Sequence, residues 1–209
     1  MSDVAAVILA AGRSKRMGAF KPLLPFGKQT VIESCIDYLR RGGVEEIVVV
    51  LGHRAEELQH RLRHLPVTFA LNPDPDTEMN ASIAAGIAEI PLPTGAVILA
   101  LADHPAVPAN VVSQLIDAWR NGAPLVIPTW QNRGGHPVLV DLLFRQALQN
   151  LDPTAGLKSL FSAHQDDVKR VPVDSPFIAR DMDTWDDYSA LHKEVFGEPP
   201  PEQWADHSN

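Results

Sequence analysis

Up to about Trp130, short apolar segments alternate with amphipathic segments, and this pattern restricts the possible folds more than any other feature. The clearest apolar runs are residues 4–11, 46–51 and 96–102. Because they are apolar almost without interruption, they indicate strands that are covered on both faces of a sheet. A single helix-length segment separates successive runs, which indicates βαβ units with right-handed crossovers. We therefore predict an α/β fold in three layers, with a mostly parallel sheet and helices on both faces.

The same pattern gives the limits of the predicted elements. The predicted strands are residues 4–11, 46–51, 67–71, 96–102, 125–128, 136–140, 168–173 and 177–182. The predicted helices are residues 30–41, 54–65, 80–90, 109–119, 141–151, 156–164 and 185–196. Residues 1–196 are predicted to form a single domain, and the proline-rich, acidic segment 197–209 is predicted to be a poorly ordered tail.

Composition and charge argue against several classes of protein. The chain of 209 residues is long enough to bury a substantial core, and no apolar run approaches the roughly 20 residues that cross a membrane. The formal net charge of −8 argues against a general nucleic-acid binder. The only cysteine, Cys35, falls on the apolar face of a predicted helix, and the first three residues lack the cations of an export signal. We therefore expect a cytoplasmic protein that binds neither membranes nor nucleic acid.

A basic loop follows the first predicted strand of this acidic chain. Its cations are Arg13, Lys15, Arg16, Lys21 and Lys28. Ligands of parallel sheets bind beyond the carboxyl ends of the strands, and Gly12 and Gly18 allow bends that expose peptide N–H groups to an anion. The glycine spacing fits neither the dinucleotide fingerprint nor the P-loop. The loop therefore predicts a polyphosphate site of a third kind, and the alternative is a surface loop whose cations are merely solvated.

The loop sequence "LAAGRSKRMGAFK" resembles the signature L-A-A-G-x-S-x-R-M-G-x-x-K of the MobA-like NTP transferase family, and more narrowly its molybdenum cofactor cytidylyltransferase branch. Four later segments resemble family motifs in the same order: "NPDPDTEMNASIAAGI", "ALADHPAV", "RGGHPVLV" and "RDMDTWDDY". The chain departs from the family at Glu78, which replaces a glycine, at His104, which replaces a glutamine, and at Trp185, which replaces a proline. The resemblance implies a Rossmann-like fold of the nucleotide-diphospho-sugar transferase type.

The resemblance also implies an activity: transfer of CMP from CTP to the terminal phosphate of molybdenum cofactor (molybdopterin), with release of pyrophosphate. The same loop serves relatives that use a sugar phosphate, methylerythritol phosphate or phospholactate as acceptor, or GTP as donor, so these remain alternatives. A further alternative is a non-catalytic, nucleotide-binding maturation factor for a molybdoenzyme. A molybdoenzyme or its chaperone is accordingly a candidate partner.

The resemblance assigns roles to residues at matching positions. The implied catalytic residues are Arg16, Lys21 and Asp103. The implied nucleotide-binding residues are Leu9, Ala10, Ala11, Gly12, Arg13, Ser14, Arg16, Lys21, Asn80, Ser82 and Asp103. The implied acceptor-binding residues are His104, Gly135, His136 and Pro137, although a lone histidine can equally be a structural residue.

A carboxylate at the end of a buried strand makes Asp103 the first candidate metal ligand. Joining two anionic phosphates usually requires Mg²⁺, which prefers one or two carboxylates together with phosphate oxygens and waters. The alternative for Asp103 is that it closes a turn before Pro105. The resemblance implies that Asp183 is the second ligand of Mg²⁺ or Mn²⁺, with Asp181 as a further candidate. Thr184 and Asp187 are predicted to form a capping box for the last helix.

Overall fold

The structure is a computed structural model that describes residues 3–13, 16–72 and 79–201, in which strands alternate with helices. The strands are β1 (Val4–Leu9), β2 (Pro25–Phe26), β3 (Gln29–Thr30), β4 (Glu46–Leu51), β5 (Thr68–Leu71), β6 (Ala96–Leu101), β7 (Leu125–Trp130), β8 (Arg133–Gly134), β9 (Val138–Asp141) and β10 (Val168–Pro172). The helices are α1 (Val31–Arg41), α2 (Ala55–Leu62), α3 (Met79–Ala88), α4 (Ala109–Arg120), α5 (Arg145–Gln149), α6 (Leu157–Ala163) and α7 (Trp185–Phe196). No helix within these ranges is long and apolar enough to cross a membrane.

The main sheet has the strand order β10-β7-β9-β6-β1-β4-β5, with β8 paired to β7. β1 lies in the interior of the sheet and pairs in parallel with β4 on one side and β6 on the other. β9 is antiparallel to both β6 and β7. It follows the β7–β8 hairpin, whose turn residues Gln131 and Asn132 have positive φ angles of 49° and 64°, so the chain reverses without a crossover helix. The predicted mostly parallel sheet is confirmed, with β9 and the short strand β8 as antiparallel exceptions.

Helices cover both faces of the sheet, as predicted. Alternate residues of β1 face opposite sides: Ala6 and Ile8 belong to one buried cluster, and Ala5 and Val7 to the other. The first cluster includes apolar side chains of α1, α2 and α4, and the second includes those of α3, α5 and α6. Because each residue of β1 is buried on its own side, the strand is apolar throughout.

A third buried cluster attaches α7 to the basic loop. Met17 of the loop and Met182, which precedes α7, belong to it together with Tyr188. The hydroxyl of Tyr188 donates a hydrogen bond to the carbonyl of Pro25 in the β2–β3 hairpin, at 2.5 Å. The last helix therefore fixes the loop near the start of the chain and brings the segment before α7 to the same edge of the sheet.

The chain changes direction across the sheet at β1. It runs outward through β4 and β5, and then returns through α3 to place β6 on the other side of β1. The carboxyl ends of β1 and β6 therefore adjoin at a topological switch point, the usual position of a ligand site in open α/β sheets.

One predicted strand is wrong. Residues 177–182 do not pair with the sheet; instead Pro176–Ala179 forms a 3₁₀ turn. The hydroxyl of Ser175 accepts a hydrogen bond from the amide of Phe177 at 3.3 Å and so caps this turn, and Pro176 suits the first position of a helical turn. Because proline and a capping serine precede the apolar residues, the turn forms where the apolar pattern predicts a strand.

The predicted helix 141–151 is shorter than expected, and the β2–β3 hairpin was not predicted. Asp141 completes β9, and its side chain accepts a hydrogen bond from the amide of Leu143 at 2.7 Å. This bond caps a 3₁₀ turn over Leu142–Phe144, and α5 begins only at Arg145. The hairpin strands have two residues each, too short to leave a periodic signal in the sequence.

The capping box at the start of α1 contains a buried carboxylate. Glu33 accepts hydrogen bonds from the amide and hydroxyl of Thr30, at 2.7 and 2.8 Å, and from Arg61 of α2 at 3.0 Å. Burial raises the pKa of Glu33, but the hydrogen bonds from Arg61 and Thr30 together hold it below its ordinary value. The carboxylate therefore links the hairpin, α1 and α2 in its ionised form.

We expect Glu33→Gln to lower the free energy of unfolding by about 1–3 kcal/mol at neutral pH, since it weakens charge-assisted hydrogen bonds of a buried group. The folded-state pKa of Glu33 is depressed, so its contribution is complete above the unfolded-state value and declines as the pH falls below 4.5. Urea unfolding at neutral pH and at a pH below 4.5 measures this change in the free energy of unfolding. The exposed Glu45→Gln is the control, and equal effects of the two substitutions would contradict the assignment.

Candidate active site

A pocket of about 290 Å³ opens at the carboxyl edge of the sheet, between the ends of β1 and β6. Its lining residues are Leu9, Ala10, Ala11, Gly12, Lys21, Pro22, Asn72, Met79, Ser82, Leu101, Ala102 and Asp103. Seven of these are predicted nucleotide-binding residues: Leu9, Ala10, Ala11, Gly12, Lys21, Ser82 and Asp103. The structure thus brings the glycine loop, the start of α3 and the end of β6 around one cavity.

Hydrogen bonds beyond the end of β1 fix the loop that lines the pocket. The amide of Ala10 donates to the carbonyl of Val50 at 3.1 Å, and the amide of His53 donates to the carbonyl of Ala11 at 3.3 Å. Among the described residues, no atom lies within 4 Å of a Cβ built on Gly12, so the space beside this glycine is open. Gly18 has a φ of 68°, in the left-handed region, so the predicted bend at this residue is present.

Two cations and two carboxylates meet at the mouth of the pocket. The ammonium of Lys21 lies 2.8 Å from a carboxylate oxygen of Asp183 and 3.6 Å from one of Asp103. Arg16 forms a second ion pair with Asp183. Lys21 is buried, whereas Arg16 is largely exposed. The three predicted catalytic residues and the predicted second metal ligand therefore form one charge cluster.

The cations of this cluster stabilise the ionised form of Asp183. The hydrogen bond from Lys21 is the main influence that lowers the pKa of Asp183; burial opposes it, and the charges of Lys21 and Arg16 add to the lowering. Asp183 is thus ionised at neutral pH and balances cations that come from the basic loop. An anionic ligand of Lys21 and Arg16 has to compete with this carboxylate.

The oxygen donors of Asp103 and Asp183 fit a hard divalent cation. Both carboxylates face one ammonium group at the edge of the pocket. Over the described ranges, no group of three or more histidine, cysteine or acidic side chains is arranged to hold a metal ion. This donor set suits Mg²⁺ or Mn²⁺, which can take the remaining ligands from phosphates and water, better than it suits a site made of protein ligands alone.

The alternative role of Asp103 finds no support in the described residues, because its carboxylate contacts Lys21 and His104 and makes no hydrogen bond to the backbone there. Asp181 is exposed, and its charge acts on His104. It therefore lies near the cluster but outside the set of direct contacts.

Two uncharged histidines continue the site away from Asp103. The Nε2 atom of His104 lies 3.8 Å from a carboxylate oxygen of Asp103, and the rings of His104 and His136 pack edge to face with centroids 5.9 Å apart. Burial lowers the pKa of His104 against the opposing charges of Asp103 and Asp181, and burial lowers the pKa of His136 to about 4. The Nδ1 atom of each ring has no hydrogen-bond partner among the described residues. Both rings are therefore neutral at neutral pH and retain unused hydrogen-bonding capacity.

Gly135 allows the histidine loop to pack directly against the segment that leads to Asp183. The amide of His136 donates to the carbonyl of Ile178 at 2.7 Å, and a Cβ on Gly135 would lie 2.3 Å from that same oxygen. No side chain fits at this distance. Gly135 thus contributes through close backbone approach, and Pro137 is buried immediately before β9.

Besides Arg16, which pairs with Asp183 at the mouth of the pocket, three predicted nucleotide-binding residues lie away from the pocket wall or outside the described ranges. Arg13 is exposed just after Gly12. The side chain of Asn80 donates to the carbonyl of Asp152 at 2.7 Å, so it joins α3 to the loop after α5. Ser14 lies outside the described residues, as does Glu78, where the chain departs from the family motif.

Sequence reasoning did not select Asn72 as a site residue. The side-chain amide of Asn72 donates to the hydroxyl of Ser82 at 3.0 Å, and both side chains are buried at the pocket. Asn72 directly follows β5 at the carboxyl edge of the sheet. A polar residue that follows an apolar strand was therefore the signal available in the sequence.

Comparison with known proteins identifies the family. The MobA-like NTP transferase domain matches residues 6–168 of the chain. The chain is similar to the molybdenum cofactor cytidylyltransferase of Escherichia coli (strain K12), with 28% identity over 190 residues that cover 90% of this chain and 95% of the relative. It is also similar to the nicotine blue oxidoreductase of Paenarthrobacter nicotinovorans, with 31% identity over 157 residues that cover 69% of this chain and 74% of the relative. The resemblance drawn from the motifs is confirmed.

The fold is similar to that of solved structures. Rv0371c from Mycobacterium tuberculosis H37Rv superposes with a TM-score of 0.82 and 26% identity, covering 91% of this chain and 97% of the other. A second structure of that protein is a complex with manganese, with a TM-score of 0.78 and 24% identity. The similarity extends over nearly the whole of both chains.

We expect Lys21→Met to raise the pKa of Asp183 towards its ordinary value, because it removes the hydrogen bond that lowers this pKa most. Arg16→Met should raise it less, since Arg16 is largely exposed and lowers this pKa less than Lys21 does. A pH titration of the aspartate carboxyl carbons by NMR measures both effects. Lys28→Met, which removes an exposed lysine in the turn of the β2–β3 hairpin, is the control. A larger effect of Arg16→Met than of Lys21→Met would show that Lys21 is not the main influence on the pKa of Asp183.

Proposed function

The chain belongs to the MobA-like NTP transferase family. We propose that it is a nucleotidyltransferase that transfers CMP from CTP to the terminal phosphate of molybdenum cofactor and releases pyrophosphate. The observation that carries the proposal is the charge cluster of Lys21, Arg16, Asp103 and Asp183 at the mouth of the pocket between β1 and β6. The similarity to the Escherichia coli cytidylyltransferase over 90% of this chain supports this choice of substrates.

The proposed reaction joins two anions. An oxygen of the acceptor phosphate attacks the α-phosphorus of CTP, the bond from that phosphorus to the bridging oxygen breaks, and pyrophosphate leaves with the electron pair. The attacking oxygen is already ionised at neutral pH, so the site needs no strong base. Catalysis then consists mainly of positioning the reactants and neutralising their charge.

The residues of the cluster divide this work. Lys21 is buried at the pocket wall, so its charge can act on the triphosphate in a fixed position, whereas exposed Arg16 can follow the phosphates. Ala10, Ala11 and Gly12 would lie against the nucleotide, and Ser82, already fixed by Asn72, would lie near the base or ribose. Stronger contacts of Lys21 with the departing pyrophosphate than with bound CTP would lower the barrier.

Asp103 and Asp183 would hold Mg²⁺ or Mn²⁺. When bound, such an ion neutralises phosphate charge and adds to the electrostatic stabilisation of the leaving group. The two carboxylates now contact Lys21, and Asp183 also contacts Arg16. If the two carboxylates bound a metal ion instead, Lys21 and Arg16 would be free to contact the phosphates. Nucleotide and metal ion are therefore expected to bind together.

The proposal has rivals within and outside the enzyme class. A sugar phosphate, methylerythritol phosphate or phospholactate as acceptor, or GTP as donor, would use the same loop. A non-catalytic maturation factor would not need the complete set of Lys21, Asp103 and Asp183, which this chain has. The proposal implies a cytoplasmic reaction and a molybdoenzyme or its chaperone as the receiver of the product.

The experiment that tests the proposal measures pyrophosphate release from CTP with each candidate acceptor. We expect turnover with molybdenum cofactor that requires Mg²⁺ or Mn²⁺ and is abolished by chelation. Asp103→Asn should lower kcat by about 10²–10³-fold, the scale of one lost electrostatic contact at the reacting centre. Asp186→Asn, a change at an exposed residue of α7, is the matched control. Wild-type turnover by Asp103→Asn at saturating metal would overturn the metal assignment.

Ala11 is expected to favour CTP over GTP. Guanylyl-transferring relatives tend to carry glycine at this position, and a methyl group on the pocket wall occupies space that the second ring of a purine needs. A Cβ on Gly52 would lie 2.7 Å from the methyl of Ala11, so the end of β4 supports Ala11 from behind. The wall therefore cannot easily recede.

We expect Ala11→Gly to lower the CTP to GTP ratio of kcat/KM by about 10- to 200-fold at most, because one methyl-sized contact contributes ~1–3 kcal/mol. Ala6→Gly is the control, since Ala6 of β1 is buried in a core cluster and does not line the pocket. Steady-state kinetics with both nucleotides measures the ratio. A wild-type ratio at or below one would exclude the cytidylyl assignment and leave a nucleotidyltransferase.

A further inference from the structure

A second cavity lies on the far side of His136 and has a volume of about 720 Å³. It opens between α6 and the strands β7, β9 and β10. Its walls are largely apolar and include Ile127, Val138 and Phe161. This cavity is larger than the pocket beside the glycine loop, and an apolar wall with an aromatic side chain suits a flat ring system.

Two cations stand in the lining of this cavity. Lys158 of α6 and Arg170 of β10 are exposed residues that line it. In the described part of the chain, neither side chain has a carboxylate within ion-pair distance or a hydrogen-bond partner. On β10, Val168 and Arg170 line the cavity and Lys169 does not, as the alternation of a strand requires. Lys158 and Arg170 are therefore available to an anion inside the cavity.

The second cavity is connected to the charge cluster by side chains in contact. Met79 lines both the first pocket and the second cavity. His136 lines the second cavity, and its ring packs against His104, which follows Asp103 in the chain and approaches its carboxylate. A ligand whose phosphate lies at Asp103 can thus extend past the two neutral histidines into the second cavity.

We propose that the second cavity binds the body of the acceptor, and that Lys158 and Arg170 bind an anionic group of the acceptor other than its reacting phosphate. This inference rests on the proposed function and narrows the acceptor to a class: a phosphorylated molecule with a flat ring and a second anionic group. Molybdenum cofactor, with its fused rings and anionic metal–sulfur group, belongs to this class. Methylerythritol phosphate has neither feature.

The test compares Lys158→Ala and Arg170→Ala with Lys169→Ala. All three changes remove one exposed cation, but Lys169 lies on the other side of β10. We expect each of the first two to raise KM for molybdenum cofactor roughly tenfold, since each removes a charge-assisted contact to one end of the ligand. KM for CTP should stay unchanged, and so should the thermal midpoint of unfolding. Equilibrium binding of the acceptor in the absence of CTP should weaken by the same factor.

The outcomes separate this inference from the proposed function. If the wild type transfers CMP to molybdenum cofactor and neither Lys158→Ala nor Arg170→Ala changes KM for it, or Lys169→Ala raises KM equally, the inference is overturned and the function stands. The wild type could instead use another acceptor that has a second anionic group. If Arg170→Ala then raises KM for that acceptor and not for CTP, the inference stands and the proposed substrate is wrong. Efficient use of an acceptor with a single anionic group overturns both.

Discussion

The position of Lys21 between Asp103 and Asp183 is the interaction on which the rest of the site depends. Its partners come from the turn after β6 and from the segment before α7, so the ammonium joins the middle and the end of the chain to the loop after β1. That arrangement requires the basic loop to be attached to α7, which Met17, Met182 and Tyr188 achieve by burial. A hydrophobic cluster away from the chemistry thus sets the distances within the charge cluster.

Much of this arrangement follows from local sequence. The alternation of apolar runs and helix-length segments predicted the layers and the parallel centre of the sheet, because burial on both faces leaves a continuous apolar pattern. The limits of α7 were predicted at both ends, and its capping box is present: Thr184 and Asp187 exchange hydrogen bonds between side chain and backbone. Asp103 could be found because a charged residue directly after a buried strand is conspicuous.

Other features depend on tertiary contacts that leave no local pattern. The residues after Pro176 have the apolar character of a strand. They form a 3₁₀ turn instead, because Ser175 caps it and Pro176 favours it, and this turn packs on Gly135. Asn80 is close in sequence to the pocket residues Met79 and Ser82, but its side chain binds the loop after α5. Lys158 and Arg170 lie outside every motif, and only the packing of α6 beside β10 reveals that they line one cavity.

The direction of β9 has a consequence for how such a site can diversify. The parallel strands end at the edge of the sheet where the pocket opens, whereas antiparallel β9 begins there. The histidine loop therefore belongs to a hairpin connection and not to a crossover unit. Hairpin loops accept changes in length and composition without disturbing a packed helix. The histidine loop, which we propose lies beside the second substrate, can therefore change independently of the glycine loop, which we propose holds the triphosphate.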